Sequence, residues 1–320
     1  MFVIDNAWYA VLDARELRER PVAARRFGLE LVFWRTGGGV AAAVDECPHR
    51  RAKLSPGRVR DGCIECPFHG FRFDGAGACT AIPAHPDRPI PKAMALRSIE
   101  AREAHGLIWV WTGRGEAGDA PIPFFDFDGW SWAGSQLAVP VNAHYTRTIE
   151  NQLDFTHLPF VHRTTIGRSL PPVMDVVTEV EGDRIRAYLR DQPDGAFLEL
   201  LGPNVWRLKT GPTWQFLAFA PIDEEHMLYY VRTYQRMVTV PGLAWLFGAL
   251  TRFTGKIILD QDTPLVESQP PGEARLRNGE LLVPSDGPII AYRRWREERR
   301  VEVPWGRAEL VPPERLVAAK

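Results

Sequence analysis

The feature that most constrains this chain is a pair of short cysteine–histidine motifs near its start. The first reads Cys-Pro-His and the second Cys-Pro-Phe-His, and together they supply Cys47, His49, Cys66 and His69. The stretch GRVRDGCIECP between them predicts a hairpin that presents both motifs at one end. Two thiols and two imidazoles arranged in this way can bind one zinc ion tetrahedrally. They can equally bind a [2Fe–2S] cluster, with sulfur ligands on one iron and nitrogen ligands on the other.

The number of cysteines and the net charge indicate the cellular compartment of the protein and limit the kinds of partner it can bind. The only other cysteines are Cys63 and Cys79, and the formal net charge is -1. A secreted chain could form two disulfides from four cysteines, whereas a cytosolic chain would more often use them for metal binding or catalysis. A nearly neutral chain is not built to coat nucleic acid or an anionic membrane. The sequence has neither a signal-peptide pattern nor a long apolar run, so we expect a cytoplasmic protein with no membrane span.

The pattern of strands and helices predicts two domains. Runs such as LELVFWRT and GLIWVWTG predict a β-rich domain over residues 1–116. The segment GRGEAGDAPIPFFDFDG has the composition of a linker. Residues 117–320 mix strand patterns with a long helical pattern that begins at PGLAWLF, where proline suits the first helical turn. The predicted fold class is therefore α+β.

A second group of metal-ligand residues lies in the stretch ENQLDFTHLPFVH. We predict a helix over 147–162, on which Asp154 and His157 share a face. His157 and His162 are five residues apart, or about 140° around an ideal helix, so they converge only if the helix bends, and Pro159 favours a bend. Two histidines with one carboxylate are the ligands of non-haem Fe(II) enzymes that activate dioxygen. Taken alone, the histidine pair is more typical of structural histidines than of a metal site.

The two groups together resemble one family, the Rieske non-haem iron oxygenases. The order C-x-H…C-x-x-H continues into FRFDG, and the stretch from Asn151 to His162 is similar to the family's catalytic segment N-x-x-D-x-x-H-x₄-H. The resemblance implies that Cys47 and Cys66 hold one cluster iron, and that His49 and His69 hold the other.

The resemblance also implies a mononuclear Fe(II) held by His157, His162 and a carboxylate. Family members carry an aspartate five residues before a glutamate in this region, and Asp262 with Glu267 matches that spacing. Asp260 is the alternative ligand. Asn151 and Asp154 would be catalytic residues. Asp154 would form a hydrogen-bonding bridge between a catalytic histidine of one subunit and a cluster histidine of its neighbour in a homotrimer.

The fold implied by the resemblance is a β-sandwich Rieske domain followed by a helix-grip catalytic domain, in which an antiparallel sheet wraps a long helix. The implied function is that of a terminal oxygenase α subunit. It would take electrons from a separate ferredoxin or flavin reductase, since the chain has no glycine-rich nucleotide fingerprint. With O₂ it would oxidise an apolar or aromatic small molecule, by monooxygenation or oxidative demethylation. The alternatives are a cis-dihydroxylating dioxygenase, a Rieske electron-transfer protein without catalysis, and a zinc-stabilised binding protein.

Three further features allow two readings each. We interpret Cys63 and Cys79 as buried thiols, although some electron-carrier Rieske proteins have a disulfide at such positions. A basic patch beside the motifs could dock an acidic ferredoxin or be a solvated loop; it consists of Arg50, Arg51, Lys53, Arg58 and Arg60. The aromatic segment 203–220 could line a substrate pocket or form the core of strands.

Overall fold

The computed structural model describes residues 3–113, 115–270 and 272–300. Backbone contacts divide the described residues into two compact units that meet in sequence at Ile122 and Pro123. The last part of the predicted second domain, residues 301–320, lies outside the described residues.

The first unit is built from three antiparallel sheets. Its strands are β1 (Trp8–Asp13), β2 (Val22–Arg26), β3 (Leu29–Thr36), β4 (Gly39–Val44), β5 (Arg58–Arg60), β6 (Cys63–Glu65), β7 (Arg72–Phe73), β8 (Cys79–Ala81), β9 (Ser98–Ile99), β10 (Ala101–Ala104) and β11 (Leu107–Trp111). The sheet orders are β1-β11-β10, β2-β3-β4-β9 and β5-β6-β7-β8. The predicted β-rich character is confirmed, and the predicted hairpin between the two motifs is the β5–β6 pair.

A hydrophobic core lies directly beneath the two motifs. Cys47 and Cys66 are buried in it, together with Trp34, Ile64 and Phe73. The aromatic side chains come from strands of two sheets, because β3 and β7 each point alternate residues inward. The two cysteines therefore lie on the dry side of their loops.

The second unit combines one antiparallel sheet with four helices. Its elements are β12 (Ser131–Val141), α1 (Tyr145–Leu153), α2 (Leu158–Val161), β13 (Val176–Glu181), β14 (Arg184–Leu189), β15 (Phe197–Leu201), β16 (Val205–Thr210), β17 (Thr213–Pro221), β18 (Met227–Gln235), α3 (Pro241–Ser268), a 3₁₀ turn (Pro284–Asp286) and α4 (Gly287–Arg299). The seven strands follow the order β12-β18-β17-β16-β15-β14-β13. The long helix α3 packs on β12 and β18, so the predicted antiparallel sheet with a long helix is confirmed.

The predicted single helix over 147–162 is wrong. The chain leaves α1 at Asp154, which has extended backbone angles and caps the helix, and a separate single turn of helix begins after His157. Pro159 lies in the first turn of α2, where its missing N–H costs nothing. The break therefore precedes the proline instead of being caused by it.

Candidate metal centres

The two cysteine–histidine motifs fold into two loops with the same hydrogen-bonding pattern. In the first loop the amide of Cys47 donates to Ala52, and the amide of Arg51 donates back to the carbonyl of Cys47. In the second loop Cys66 donates to Phe71, and Gly70 donates back to Cys66, again five and four residues apart. The fifth residue of each loop has a left-handed backbone, with φ of 61° at Arg51 and 73° at Gly70.

The matched loops bring all four predicted cluster residues to one place. The imidazole rings of His49 and His69 are exposed and their centroids are 4.7 Å apart, while His49 stacks on Phe71. Both cysteines are buried on the inner side. Burial, together with the adjacent Cys66 thiol, raises the pKa of Cys47 to about 11. Because two buried thiolates need a cation, two inner sulfurs and two outer nitrogens fit a [2Fe–2S] cluster.

The remaining two cysteines lie outside this arrangement. Cys63 and Cys79 are both free thiols and only half-buried, so the prediction that they are buried is wrong. Cys63 begins β6 at the turn of the hairpin, opposite Arg60, where a short strand leaves its side chains partly open to solvent. Within the described residues they form no disulfide.

Most basic side chains of the predicted patch form ion pairs with nearby carboxylates. The carboxylate of Glu65 accepts from Arg58 and also pairs with Arg72. Arg51 pairs with Glu46 at 3.0 Å. The guanidinium of Arg50 lies instead over the exposed ring of Phe68, 5.6 Å from its centroid. Part of the positive charge near the cluster loops is therefore balanced locally.

In the second unit, the predicted histidine ligands lie at the two ends of α2. His157 precedes the single helical turn and His162 follows it, and their ring centroids are 5.2 Å apart. The chain then turns sharply, since the amide of Gly167 donates to the carbonyl of His162. A Cβ atom on Gly167 would lie 1.8 Å from the carbonyl oxygen of Leu158, so only glycine fits there. One turn of helix with a tight exit thus solves the convergence problem of a five-residue spacing.

Asp262 completes a group of three possible metal ligands. Ligand atoms of His157, His162 and Asp262 lie within 4.8 Å of one another. The Oδ1 atom of Asp262 is 3.0 Å from Nε2 of His162 and 3.5 Å from Nε2 of His157. Among the described residues this buried oxygen has no hydrogen-bond partner. A buried carboxylate oxygen facing two imidazole nitrogens is the donor set that a divalent cation would satisfy, so the three residues fit Fe(II).

Each histidine meets a different partner on its other ring nitrogen. Nδ1 of His162 is 2.8 Å from Oε1 of Gln261, which leaves Nε2 free to face Asp262. Burial would lower the pKa of His162, but the facing carboxylate of Asp262 and the hydrogen bond with Gln261 outweigh burial and raise it. Nδ1 of His157 lies 3.5 Å from the carboxylate of Asp154. Gln261 is a positioning residue that the sequence pattern did not single out.

Asp154 is held as a carboxylate. Its Oδ1 accepts from both the amide and the hydroxyl of Thr156. Burial tends to raise its pKa, but the neighbouring His157 and the hydrogen bonds from Thr156 outweigh burial and hold the pKa below its usual value. Asp154 therefore presents a negative charge to the outer nitrogen of His157, which favours a metal on the inner nitrogen.

The other predicted residues lie apart from the triad. Asp260 is exposed on α3 and pairs with Lys256 at 2.6 Å, so it does not face the two histidines. Glu267 accepts from the amide of Asn142. Asn151 does not line the cavity around the triad, although its amide nitrogen is buried without a partner among the described residues. Its catalytic assignment stays a prediction.

An apolar cavity opens beside the triad. Its wall includes Trp206 and Leu208 from the predicted aromatic segment, together with Phe155. In the same segment, Trp214 and Phe216 lie on the opposite face of the sheet and pack on Phe127. One part of the aromatic segment therefore lines this cavity and another part forms buried strand core, because neighbouring strand residues point to opposite faces.

Known protein families match most of the chain. Residues 7–99 match the model described as Rieske [2Fe-2S] domain. Residues 141–207 and 202–302 match the vanillate O-demethylase oxygenase C-terminal domain. No helix within the described ranges is long and apolar enough to cross a membrane.

Individual proteins show the same similarity. A vanillate O-demethylase oxygenase subunit from Pseudomonas sp. is 34% identical over 68% of this chain and 62% of its own length. The toluene-4-sulfonate monooxygenase system iron-sulfur subunit TsaM1 of Comamonas testosteroni is 33% identical over 59% and 56% of the two chains. In both alignments the chain spans less than two thirds of the relative.

A third relative aligns over nearly its whole length. Methylxanthine N3-demethylase NdmB of Pseudomonas putida is 28% identical over 94% of this chain and 90% of its own. Its solved structure superposes with a TM-score of 0.75 at 27% identity, covering 92% of this chain and 90% of that one.

Proposed function

The chain belongs to the Rieske non-haem iron oxygenases, and from that premise we propose that it is a terminal oxygenase subunit acting on a small apolar or aromatic molecule. The observation that carries the proposal is the buried Oδ1 atom of Asp262, which faces both histidine Nε2 atoms without a hydrogen-bond partner among the described residues. An electron carrier without catalysis would have no use for that donor set.

The proposed ligands follow the geometry of the two centres. Cys47 and Cys66 would hold the inner iron of the [2Fe–2S] cluster, and His49 and His69 the outer one. His157, His162 and Asp262 would hold Fe(II). The proposed domains are 1–116 for the cluster and 117–320 for catalysis.

When bound, the cluster would take up electrons singly and the Fe(II) ion would activate dioxygen. The surrounding residues have three tasks. Gln261 accepts the Nδ1 proton of His162 and so keeps its Nε2 unprotonated. The carboxylate of Asp154, 3.5 Å from Nδ1 of His157, favours the proton on that nitrogen and so leaves Nε2 of His157 unprotonated. The apolar wall of Phe155 and Leu208 keeps bulk water away from the reacting atoms.

The proposed reaction is monooxygenation or oxidative demethylation. The names of the relatives support it, since two are demethylases and one belongs to a monooxygenase system. Ring cis-dihydroxylation is the alternative outcome of the same chemistry.

The proposed partners are a separate ferredoxin or flavin reductase and further copies of this chain in a homotrimer. The exposed rings of His49, His69 and Phe68 support electron entry at the cluster loops. We further propose that the protein is cytoplasmic, which the four free cysteines support.

Metal analysis and product analysis of the purified protein test this function. We expect a red-brown protein with both cluster iron and separable mononuclear iron, and a Rieske-type EPR signal on reduction. With a surrogate reductase, the protein should consume O₂ when aromatic methyl ethers or N-methyl heterocycles are added. Release of formaldehyde would indicate demethylation. A cis-diol product would change the reaction type, and a colourless protein that holds only zinc would overturn the proposal.

A further inference from the structure

We propose that the cavity beside the triad selects an uncharged substrate that offers one polar group, such as an amide, carbonyl or hydroxyl, to the side chain of Gln215. A carboxylate or sulfonate in its place is rejected. This inference rests on the function proposed above and specifies the substrate class for that site.

Gln215 occupies an unusual place in the sheet. It lies on β17 directly opposite Leu208 of β16, which in turn pairs with Leu198 of β15. Paired residues point to the same face of a sheet, so this polar side chain lies beside a row of two leucines. That row lines the same cavity as His157 and Asp262.

The amide of Gln215 is available to a ligand. Gln215 is half-buried, and its side chain makes no hydrogen bond with any other described residue. Trp206 lies two residues before Leu208 on the same face of the sheet and lines the same cavity. Its buried indole N–H has no hydrogen-bond partner in the described part of the chain. When a ligand displaces water from the cavity, these polar groups lose their hydrogen bonds to water, and the loss is costly unless the ligand forms new ones. A few placed polar groups in an apolar cavity are how small-molecule sites fix orientation.

The charge of the site argues against an anionic ligand. The cavity continues into a larger one of about 660 Å³ that shares Phe155 and Leu158 with it. Among the described residues lining the larger cavity, the single cationic side chain is Arg190, and Asp175 already pairs with it at 2.6 Å. Asp191 adds a further negative charge to the wall.

The metal does not supply the missing cation. An Fe(II) ion at the triad would be balanced by the carboxylates of Asp262 and Asp154, which lie on the two sides of His157. A carboxylate entering the cavity would therefore lose its hydration without gaining a free positive partner. A neutral ring bearing an amide would instead gain a hydrogen bond to Gln215.

Calorimetry on the anaerobic, iron-loaded protein tests the proposal with three matched probes. They are 3-methoxybenzamide, 3-methoxybenzoate and methoxybenzene, which share a ring and a methoxy group. We expect the amide to bind at least about tenfold more tightly than the carboxylate, because only the carboxylate carries an uncompensated charge into the cavity.

Two variants connect this preference to the named residues. Gln215→Leu should weaken binding of the amide by about tenfold, since one hydrogen bond to the ligand is removed, and should leave the affinity for methoxybenzene unchanged. Gln192→Leu is the matched control, because Gln192 lines the larger cavity at an exposed position. Asp175→Asn frees Arg190 and should strengthen carboxylate binding about twofold to fivefold, a small effect because the pair is exposed.

The proposal is overturned if the carboxylate binds as tightly as the amide. It is also overturned if the amide shows no binding at millimolar concentration, or if Gln215→Leu and Gln192→Leu behave alike. These measurements need neither electrons nor turnover. A protein that binds the amide through Gln215 yet oxidises nothing would contradict the proposed function and leave this inference standing.

Discussion

The two proposed metal centres of this chain are built in opposite ways. The cluster loops take all four proposed ligands from residues 47–69, and the two loops repeat one hydrogen-bonding pattern. The triad takes two proposed ligands from the ends of a single helical turn and the third from α3, a hundred residues later in the sequence. A local centre can be recognised from spacing alone. A non-local centre depends on how helices pack.

The two centres also differ in how far their residues are exposed to solvent. The imidazoles of His49 and His69 face solvent, whereas His162 and Asp262 are buried. A centre that receives electrons from another protein needs a surface edge. A centre that handles dioxygen and an apolar substrate benefits from a dry cavity. The contrast predicts that changes at the two centres have separable effects on metal content.

Replacing Cys66 by alanine is the largest expected disruption. The side chain is buried under the second loop, and the cluster cannot be held without this thiolate. We expect complete loss of cluster iron and of the visible Rieske spectrum, with mononuclear iron retained. Metal analysis and absorbance measure both. Cys63→Ala is the matched control, since Cys63 is half-buried and outside the loops; loss of the cluster in that variant would contradict the assignment.

Asp262→Ala should produce the opposite result. Removal of the carboxylate that faces both histidines is expected to lower Fe(II) affinity by at least about 100-fold, while the cluster remains bound. This loss exceeds that caused by removing a residue that only supports a metal ligand. Iron titration of the purified variant measures this. Asp260→Ala, two residues earlier on the exposed side of α3, should bind iron normally. If Asp260→Ala loses the iron instead, the ligand assignment is reversed.

The choice between these aspartates shows what the sequence could reveal. Buried residues on this part of α3 are Leu259, Asp262 and Val266, spaced three and four apart. That spacing is the inward face of a helix, so the sequence contained a signal that favoured Asp262 over Asp260. The family spacing to Glu267 led to the same residue. The strands at LELVFWRT and GLIWVWTG and the start of α3 were likewise predictable, from runs of β-branched and aromatic residues and from Pro241.

The break between α1 and α2 could not be predicted in the same way. Local propensity favours a continuous helix through Asp154, and the visible breaker was Pro159. The chain breaks earlier because the carboxylate of Asp154 accepts hydrogen bonds from the amide and hydroxyl of Thr156, two residues later, and because the exit at Gly167 requires close backbone contact. Gln261 was missed because its partners lie in other elements, and Gln215 because the other residues of its cavity come from other strands and helices. Only the tertiary structure brings those residues together.

Asp154→Asn tests the charge beside His157, with a smaller expected effect. The substitution keeps the shape of the side chain and the two hydrogen bonds from Thr156. It removes the negative charge and places an amide N–H group opposite Nδ1 of His157. We expect both metals to stay bound and turnover to fall by about 10–100-fold, the range for supporting partners of metal ligands. Steady-state kinetics with metal analysis measures both. Asp260→Asn is the control, and turnover near that of the wild type in Asp154→Asn would remove the positioning role.

The smallest expected effect compares the two cluster loops with each other. Gly70 and Arg51 occupy equivalent left-handed positions, with φ of 73° and 61°. Gly70→Ala should lower the free energy of unfolding by about 1–2 kcal/mol, from left-handed strain and a Cβ atom 3.1 Å from Pro83. Arg51→Gly should stay within about 0.5 kcal/mol of the wild type, because relief of about 1 kcal/mol of strain is offset by the similar entropic cost of glycine.

Urea unfolding of the cluster-loaded protein measures both variants of that pair. Arg50→Gly supplies the control, since Arg50 is exposed and has an ordinary backbone angle, so glycine brings its entropic cost of about 0.5–1 kcal/mol without any relief of strain. The ion pair of Arg51 with Glu46 is exposed on the arginine side and contributes little. If Arg51→Gly costs as much as Gly70→Ala, the arginine stabilises its loop through side-chain contacts, and the two loops share a backbone pattern without sharing its energetics.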